Sequence, residues 1–174
     1  MCGIIGFTGN LQAPGILVDG LQQLEYRGYD SAGIAVNNGS ETKIVKTTGK
    51  VATLREKVEA TADLAGTCGI GHTRWATHGG VTEVNAHPHV SGNVTLIHNG
   101  IIENYKELAA SLKTKGFTAI SETDTEVAAM LIDSLYDGDP FAALKEADKV
   151  LEGAYGFCVM FKDHPGEIYC MRNA

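Results

Sequence analysis

Ser31-Ala32-Gly33-Ile34-Ala35-Val36 is followed by Asn37-Asn38-Gly39-Ser40 and then, after two residues, by Lys43-Ile44-Val45-Lys46-Thr47. Two runs rich in β-branched residues flank a cluster of turn formers, which reads as an antiparallel hairpin. The pattern recurs at the other end of the chain. Phe157, Val159 and Phe161 alternate, Asp163-His164-Pro165-Gly166 supplies a turn, and Glu167 to Met171 returns. Helical signals lie between these hairpins. Hairpins at both ends around helices predict antiparallel sheets covered by helices, an α+β layered fold. A purely parallel, doubly wound sheet is the alternative.

Outward from that hairpin the chain divides readily. Residues 3–8 form a short apolar run expected to be a strand. A helix follows, with Pro14 early, Leu17, Leu21 and Leu24 on one face, and Gly28 just past its end. Residues 50–60 repeat Val51, Leu54 and Val58 at helical spacing, and 68–74 return to strand. Residues 76–92 are rich in Gly, His, Thr and Asn without an apolar period, which predicts a functional loop. Residues 94–98 read as a strand ending at Asn99-Gly100. Helices are expected over 103–114, closed by Gly116, from Asp124, and from Asp139-Pro140. There is no internal repeat, low-complexity tract or linker, so residues 1–174 read as one domain.

Composition narrows the function. The 174 residues are 44% hydrophobic and 20% charged, ordinary values for a globular domain with a real core. A net charge of −7 argues against nucleic-acid binding, which needs a basic face. No apolar run approaches the ~20 residues of a membrane span. The start, Met1-Cys2-Gly3-Ile4, carries neither a signal peptide nor a myristoylation site, so a cytoplasmic location is expected, with no membrane partner. None of the four cysteines has CxxC spacing. Cys68, Cys158 and Cys170 read as small buried hydrophobes.

Cys2 differs, because it becomes the first residue once the initiator methionine is removed. It is either a thiol tucked beside a strand or a nucleophile. An N-terminal Cys supplies its own base, since an α-amine has a pKa of about 7.7–8.0 against about 10.4 for lysine. In Gly71-His72-Thr73-Arg74-Trp75-Ala76-Thr77-His78-Gly79-Gly80, Arg74 suits a bidentate carboxylate grip or a surface ion pair. Trp75, the single tryptophan, is a lid over a small ligand or a core anchor. Asn99-Gly100 is a type I′ turn, or an oxyanion hole built from the Asn99 amide and the Gly100 N–H. Ser121-Glu122-Thr123-Asp124-Thr125-Glu126 is a helix cap, or places a carboxylate for a ligand ammonium group. The six histidines, His87-Pro88-His89 among them, match no zinc spacing, so neither a metal nor a cofactor is expected. There is no GxSxG elbow for a serine triad.

Taken together, these stretches resemble class II glutamine amidotransferases, which are N-terminal nucleophile hydrolases. The resemblance runs through Met1 to Gly6, Leu24-Glu25-Tyr26-Arg27-Gly28-Tyr29-Asp30-Ser31-Ala32-Gly33-Ile34-Ala35-Val36, Gly71 to Gly79, His87-Pro88-His89, His98-Asn99-Gly100-Ile101-Ile102-Glu103-Asn104-Tyr105 and Ser121 to Glu126. Tyr26 before the Arg-Gly pair and Trp75 in the later loop are similar to the glutaminase domain of the glucosamine-6-phosphate synthases rather than to the purine-pathway branch.

The resemblance implies a four-layer αββα sandwich of two antiparallel sheets and hydrolysis of L-glutamine to glutamate and ammonia. It implies that Cys2 is the nucleophile, that Asn99 and Gly100 hold the oxyanion, that Arg74 takes the substrate carboxylate and that Asp124 takes its ammonium. Trp75, Thr77 and His78 would close over glutamine, and Arg27, Gly28 and His87 would lie near the nucleophile. It also implies a domain that continues past Ala174, and a partner isomerase domain, absent from this chain, in a full-length synthase expected to be a homodimer.

Overall fold

The computed structural model describes residues 2–28, 30–76 and 79–173. Two four-stranded antiparallel sheets form its centre. The first is built from β1 (Gly3–Thr8), β2 (Ser31–Asn37), β3 (Thr42–Thr48) and β4 (Cys68–Arg74), in the order β1-β4-β2-β3. The second is built from β5 (His89–Ser91), β6 (Val94–Ile102), β7 (Gly153–Phe161) and β8 (Tyr169–Asn173), in that order. The expected hairpins form as β2–β3 and β7–β8. Every pairing among the described residues is antiparallel, so the doubly wound alternative is excluded.

Helices cover the outer faces. On the first sheet, α1 (Ala13–Leu24) and α2 (Val51–Ala60) bury Leu17, Leu21, Val51 and Leu54 against Ile34 and Val36. On the second, α3 (Tyr105–Thr114), α4 (Asp124–Leu135) and α5 (Pro140–Asp148) pack on Leu96, Phe157 and Phe161. A thinner apolar layer of Ala35, Cys68, Ile70, Ile97 and Met160 lies between the sheets. The result is the αββα sandwich. Burying a side chain such as Leu17 or Phe157 is worth about 1.5–3 kcal/mol, so these three layers carry the stability.

Local chemistry sets the element ends. Asp139 caps α5 by accepting from the backbone N–H groups of Phe141 and Ala142 at 3.0 and 3.1 Å. Thr123 caps α4 through the Glu126 N–H. The Glu126 carboxylate reaches back to the N–H groups of Ile120 and Ser121, before the cap, so the loop entering α4 is tied to its first turn.

Three local readings need correction. Residues 76–92 are not loop throughout, because His89–Ser91 pairs with β6 as β5. The strand expected to stop at Asn99-Gly100 runs on to Ile102, with Asn99 opposite Gly156 and Gly100 opposite Tyr155, so these residues make no hairpin turn. Cys68 is buried as expected, but Cys158 is half-buried and Cys170 exposed, because both lie toward the open edge formed by β8. No helix among the described residues is long and apolar enough to cross a membrane.

Candidate active site

Strand alternation brings the candidate residues together. Successive side chains on a strand point to opposite faces. In β4, Cys68 and Ile70 face the layer between the sheets, so His72 and Arg74 face the same way. In β6, Ile97 faces that layer, and so does Asn99. In β1, Ile4 faces it, and Cys2 precedes Ile4 by two residues. All four therefore gather at one end of the inter-sheet space. A cavity of about 650 Å³ opens there, lined by Cys2, Arg27, Arg74, Trp75, His87, Asn99, Gly100 and Asp124, among others.

Cys2 is held closely. The Trp75 backbone N–H donates to its Sγ at 3.1 Å. The next residue is anchored as well, since the Gly3 N–H donates to Thr73 Oγ1 at 3.0 Å. The Asn99 amide nitrogen donates to the Cys2 carbonyl oxygen at 3.0 Å. The Trp75 contact fixes the position of the sulfur at the cavity. Gly100 adopts φ +126°, and a Cβ there would lie 2.1 Å from the Ala154 carbonyl oxygen, so glycine is the residue this strand crossing accommodates.

Arg74 is buried at the end of β4, with Nη1 donating to the Gly80 carbonyl at 3.0 Å and Nη2 to that of Gly79 at 3.4 Å. Its burial removes the surface position from the two readings. The loop carrying those carbonyls is pinned by Glu122, which accepts from the Gly80 N–H at 3.0 Å and from Asn85 Nδ2 at 2.9 Å. These two donors hold the Glu122 carboxyl below its usual range. Asp124 lies in the first turn of α4, 5% exposed, and accepts from the Ile102 N–H at 2.9 Å. The helix N-terminus supplies favourable potential for a buried carboxylate.

Trp75 is 57% exposed, which removes the core-anchor reading. Its ring lies on Gly28, where φ is +114° and a Cβ would fall 1.9 Å from ring carbon Cε3. Arg27, exposed on the cavity rim, donates to the Tyr26 hydroxyl at 3.2 Å. Thr77 and His78 lie outside the described residues.

A histidine cluster supports the cavity floor. His87 Nε2 and His98 Nδ1 both meet Thr125 Oγ1, at 2.8 and 3.0 Å. His72 Nε2 lies 3.0 Å from both the His98 carbonyl and Asn99 Oδ1. Burial drives the pKa values of His72 and His89 down to about 3, and that of His87 well below its ordinary value, so these rings are neutral. Among the described residues no group of three or more His, Cys, Asp or Glu is arranged to hold a metal ion.

Several contributors escape sequence reading. Asp30 accepts from the Ala76 N–H, and its own N–H donates to the Arg74 carbonyl at 2.9 Å, fixing the turn that carries Trp75. Tyr155, Arg172 and Asn173 line the far wall from β7 and β8. No local pattern marks them, because only the pairing of those strands brings them to the cavity.

A model of the glutamine amidotransferase domain family matches residues 72–174. The glutamine–fructose-6-phosphate aminotransferase (isomerizing) of Thermus thermophilus is 54% identical over 166 residues, covering 94% of this chain and 27% of that protein. The protein of the same name from Caldanaerobacter subterraneus subsp. tengcongensis is 49% identical over 175 residues, covering 99% of this chain and 29% of that protein. The chain thus spans under a third of these relatives. Among solved structures, the glutamine phosphoribosylpyrophosphate amidotransferase from B. subtilis, complexed with ADP and GMP, superposes with a TM-score of 0.78 at 29% identity, covering 93% of this chain and 35% of that one.

Proposed function

This chain belongs to the glutamine amidotransferase domain family, with the fold of the class II N-terminal nucleophile enzymes, and on that premise we propose that it is a glutaminase domain which hydrolyses L-glutamine through Cys2. The observation that carries the reading is the placement of the Cys2 thiol at the Trp75 N–H, in a cavity lined also by Arg74, Asn99 and Asp124.

After removal of Met1, the free α-amine of Cys2 takes the thiol proton and the sulfur attacks the side-chain amide carbon of glutamine. The carbonyl oxygen becomes negative and is held by the Asn99 amide and the Gly100 N–H, each such donor being worth about 2.7–4 kcal/mol. The C–N bond breaks, ammonia leaves with the proton returned by the α-amine, and a glutamyl thioester remains. Water hydrolyses the thioester to glutamate and restores the thiol. At the other end of the substrate, Arg74 binds the α-carboxylate and Asp124 the α-ammonium. One fixed cation and one fixed anion match the charge pattern of an amino acid zwitterion. Trp75, exposed on the cavity lining, closes over the bound substrate.

In a longer polypeptide like the relatives, the ammonia would serve a sugar-phosphate aminotransferase half, in a cytoplasmic homodimer. The deciding experiment measures ammonia and glutamate release by protein whose mass confirms an N-terminal Cys2. Activity abolished by Cys2→Ala supports the reading. Unchanged release by Cys2→Ala excludes it, and glutamine binding without product by the trimmed protein reduces the domain to a binding module.

A further inference from the structure

We infer that His72 is a positioning residue, whose ring N–H fixes the amide of Asn99 with its nitrogen toward Cys2. The inference rests on the role proposed above for Asn99. His72 is fully buried in β4, opposite Ile4 in β1 and Gly33 in β2, and is locked by both ladders. Its Nε2 lies 3.0 Å from the backbone carbonyl of His98, a group that only accepts hydrogen bonds. The proton of this neutral ring therefore resides on Nε2.

That same N–H lies 3.0 Å from Asn99 Oδ1. A carboxamide has an accepting end and a donating end of nearly the same shape. Turned over, Asn99 would present its NH₂ to the His72 N–H, two donors face to face in a buried site, and its oxygen to the Cys2 carbonyl, two acceptors face to face. In the observed orientation both contacts are satisfied, with Asn99 Nδ2 donating to the Cys2 carbonyl at 3.0 Å. A buried mismatch of this kind leaves donors and acceptors unsatisfied away from water, enough to hold one orientation almost exclusively. The neighbouring ring of His87, with centroids 4.0 Å apart, limits rotation of the His72 ring. His72 is not among the residues that line the cavity. It acts through Asn99, as outer partners orient first ligands at metal sites.

The test compares His72→Leu, which keeps bulk but loses the N–H, with His72→Gln, which restores a donor near the Nε2 position, each alone and combined with Asn99→Ala. His72→Leu is expected to lower kcat for glutamine hydrolysis about tenfold to hundredfold with KM within about twofold, less than the full loss of an oxyanion donor. His72→Gln should recover most of that loss. In the Asn99→Ala background, His72→Leu should cost nothing further, the non-additivity expected of residues acting as one unit. Normal kcat in His72→Leu while Asn99→Ala is impaired overturns the inference and leaves the proposed function standing. Equal loss in His72→Leu and His72→Gln also overturns it, since packing alone then explains His72. Normal kcat in Asn99→Ala sinks instead the oxyanion reading beneath it. Should His72→Leu fail to fold, ¹⁵N spectra of the unmodified protein decide. A proton on His72 Nε2 supports the inference, and one on Nδ1 overturns it.

Discussion

The side-chain amide of Asn99 donates to the backbone carbonyl of Cys2 at 3.0 Å, although 97 residues separate the two. On the role proposed for Asn99, the strand pairing has set this donor beside Cys2 before substrate arrives. Such preorganised donors are worth far more in a partly dry site than in water. Asn99→Ala is expected to lower kcat by about 10²–10³ and leave KM nearly unchanged. Steady-state glutaminase kinetics check this, and a folded variant with normal kcat excludes the role.

Gly28 and Trp75 are in close contact, and a Cβ at position 28 would lie 1.9 Å from the ring. With φ at +114°, an L-residue is also strained there. Gly28→Ala should displace Trp75 and lower stability by about 1–3 kcal/mol. The sequence holds a single tryptophan, so its fluorescence reports the displacement directly. An unshifted emission spectrum with an unchanged urea midpoint would contradict the packing described.

The buried histidines make stability depend on pH with a definite sign. His72 and His89 have folded pKa values of about 3, below the ordinary 6.5. Between these values the unfolded chain binds protons that the folded chain refuses, so stability falls as pH drops through that window. Above pH 6.5 both states are neutral at these rings, and the effect vanishes. Each ring contributes about 1.4 kcal/mol of loss for each pH unit inside the window. Urea midpoints should therefore decline steadily from pH 6.5 to 5, and His89→Gln should flatten the decline. A midpoint constant over that range would refute neutral burial.

Asp139, which is not among the cavity-lining residues, caps α5 through the N–H groups of Phe141 and Ala142. Asp139→Ala leaves those donors without the side-chain acceptor and should cost about 1 kcal/mol. That corresponds to a Tm about 2–4 °C lower for a domain of this size, with kcat and KM unaltered. Calorimetry beside a glutaminase assay measures both.

Much of the fold is legible locally, because burial leaves a period in the chain. The β2–β3 hairpin, α1 with Leu17 and Leu21 inward, and the Asp139-Pro140 start of α5 all follow from side chains that select their own backbone geometry. The sequence also holds a cysteine at position 2, an arginine ending a strand and an acid opening a helix, residue types that suit the proposed chemistry.

What the chain alone left open depends on partners distant in sequence. Asn99-Gly100 has the composition of a turn, yet β7 lies alongside and supplies the ladder, so the strand continues to Ile102. β5 has only three residues, too few to show a period, and exists through its pairing with β6. Cys170 sits in an apolar run but on an edge strand, and edge position rather than composition exposes it. The convergence of Cys2, His72 and Asn99 is likewise a product of sheet stacking. Alternation decides which face each residue takes, but only the packing of one sheet on the other makes those faces meet.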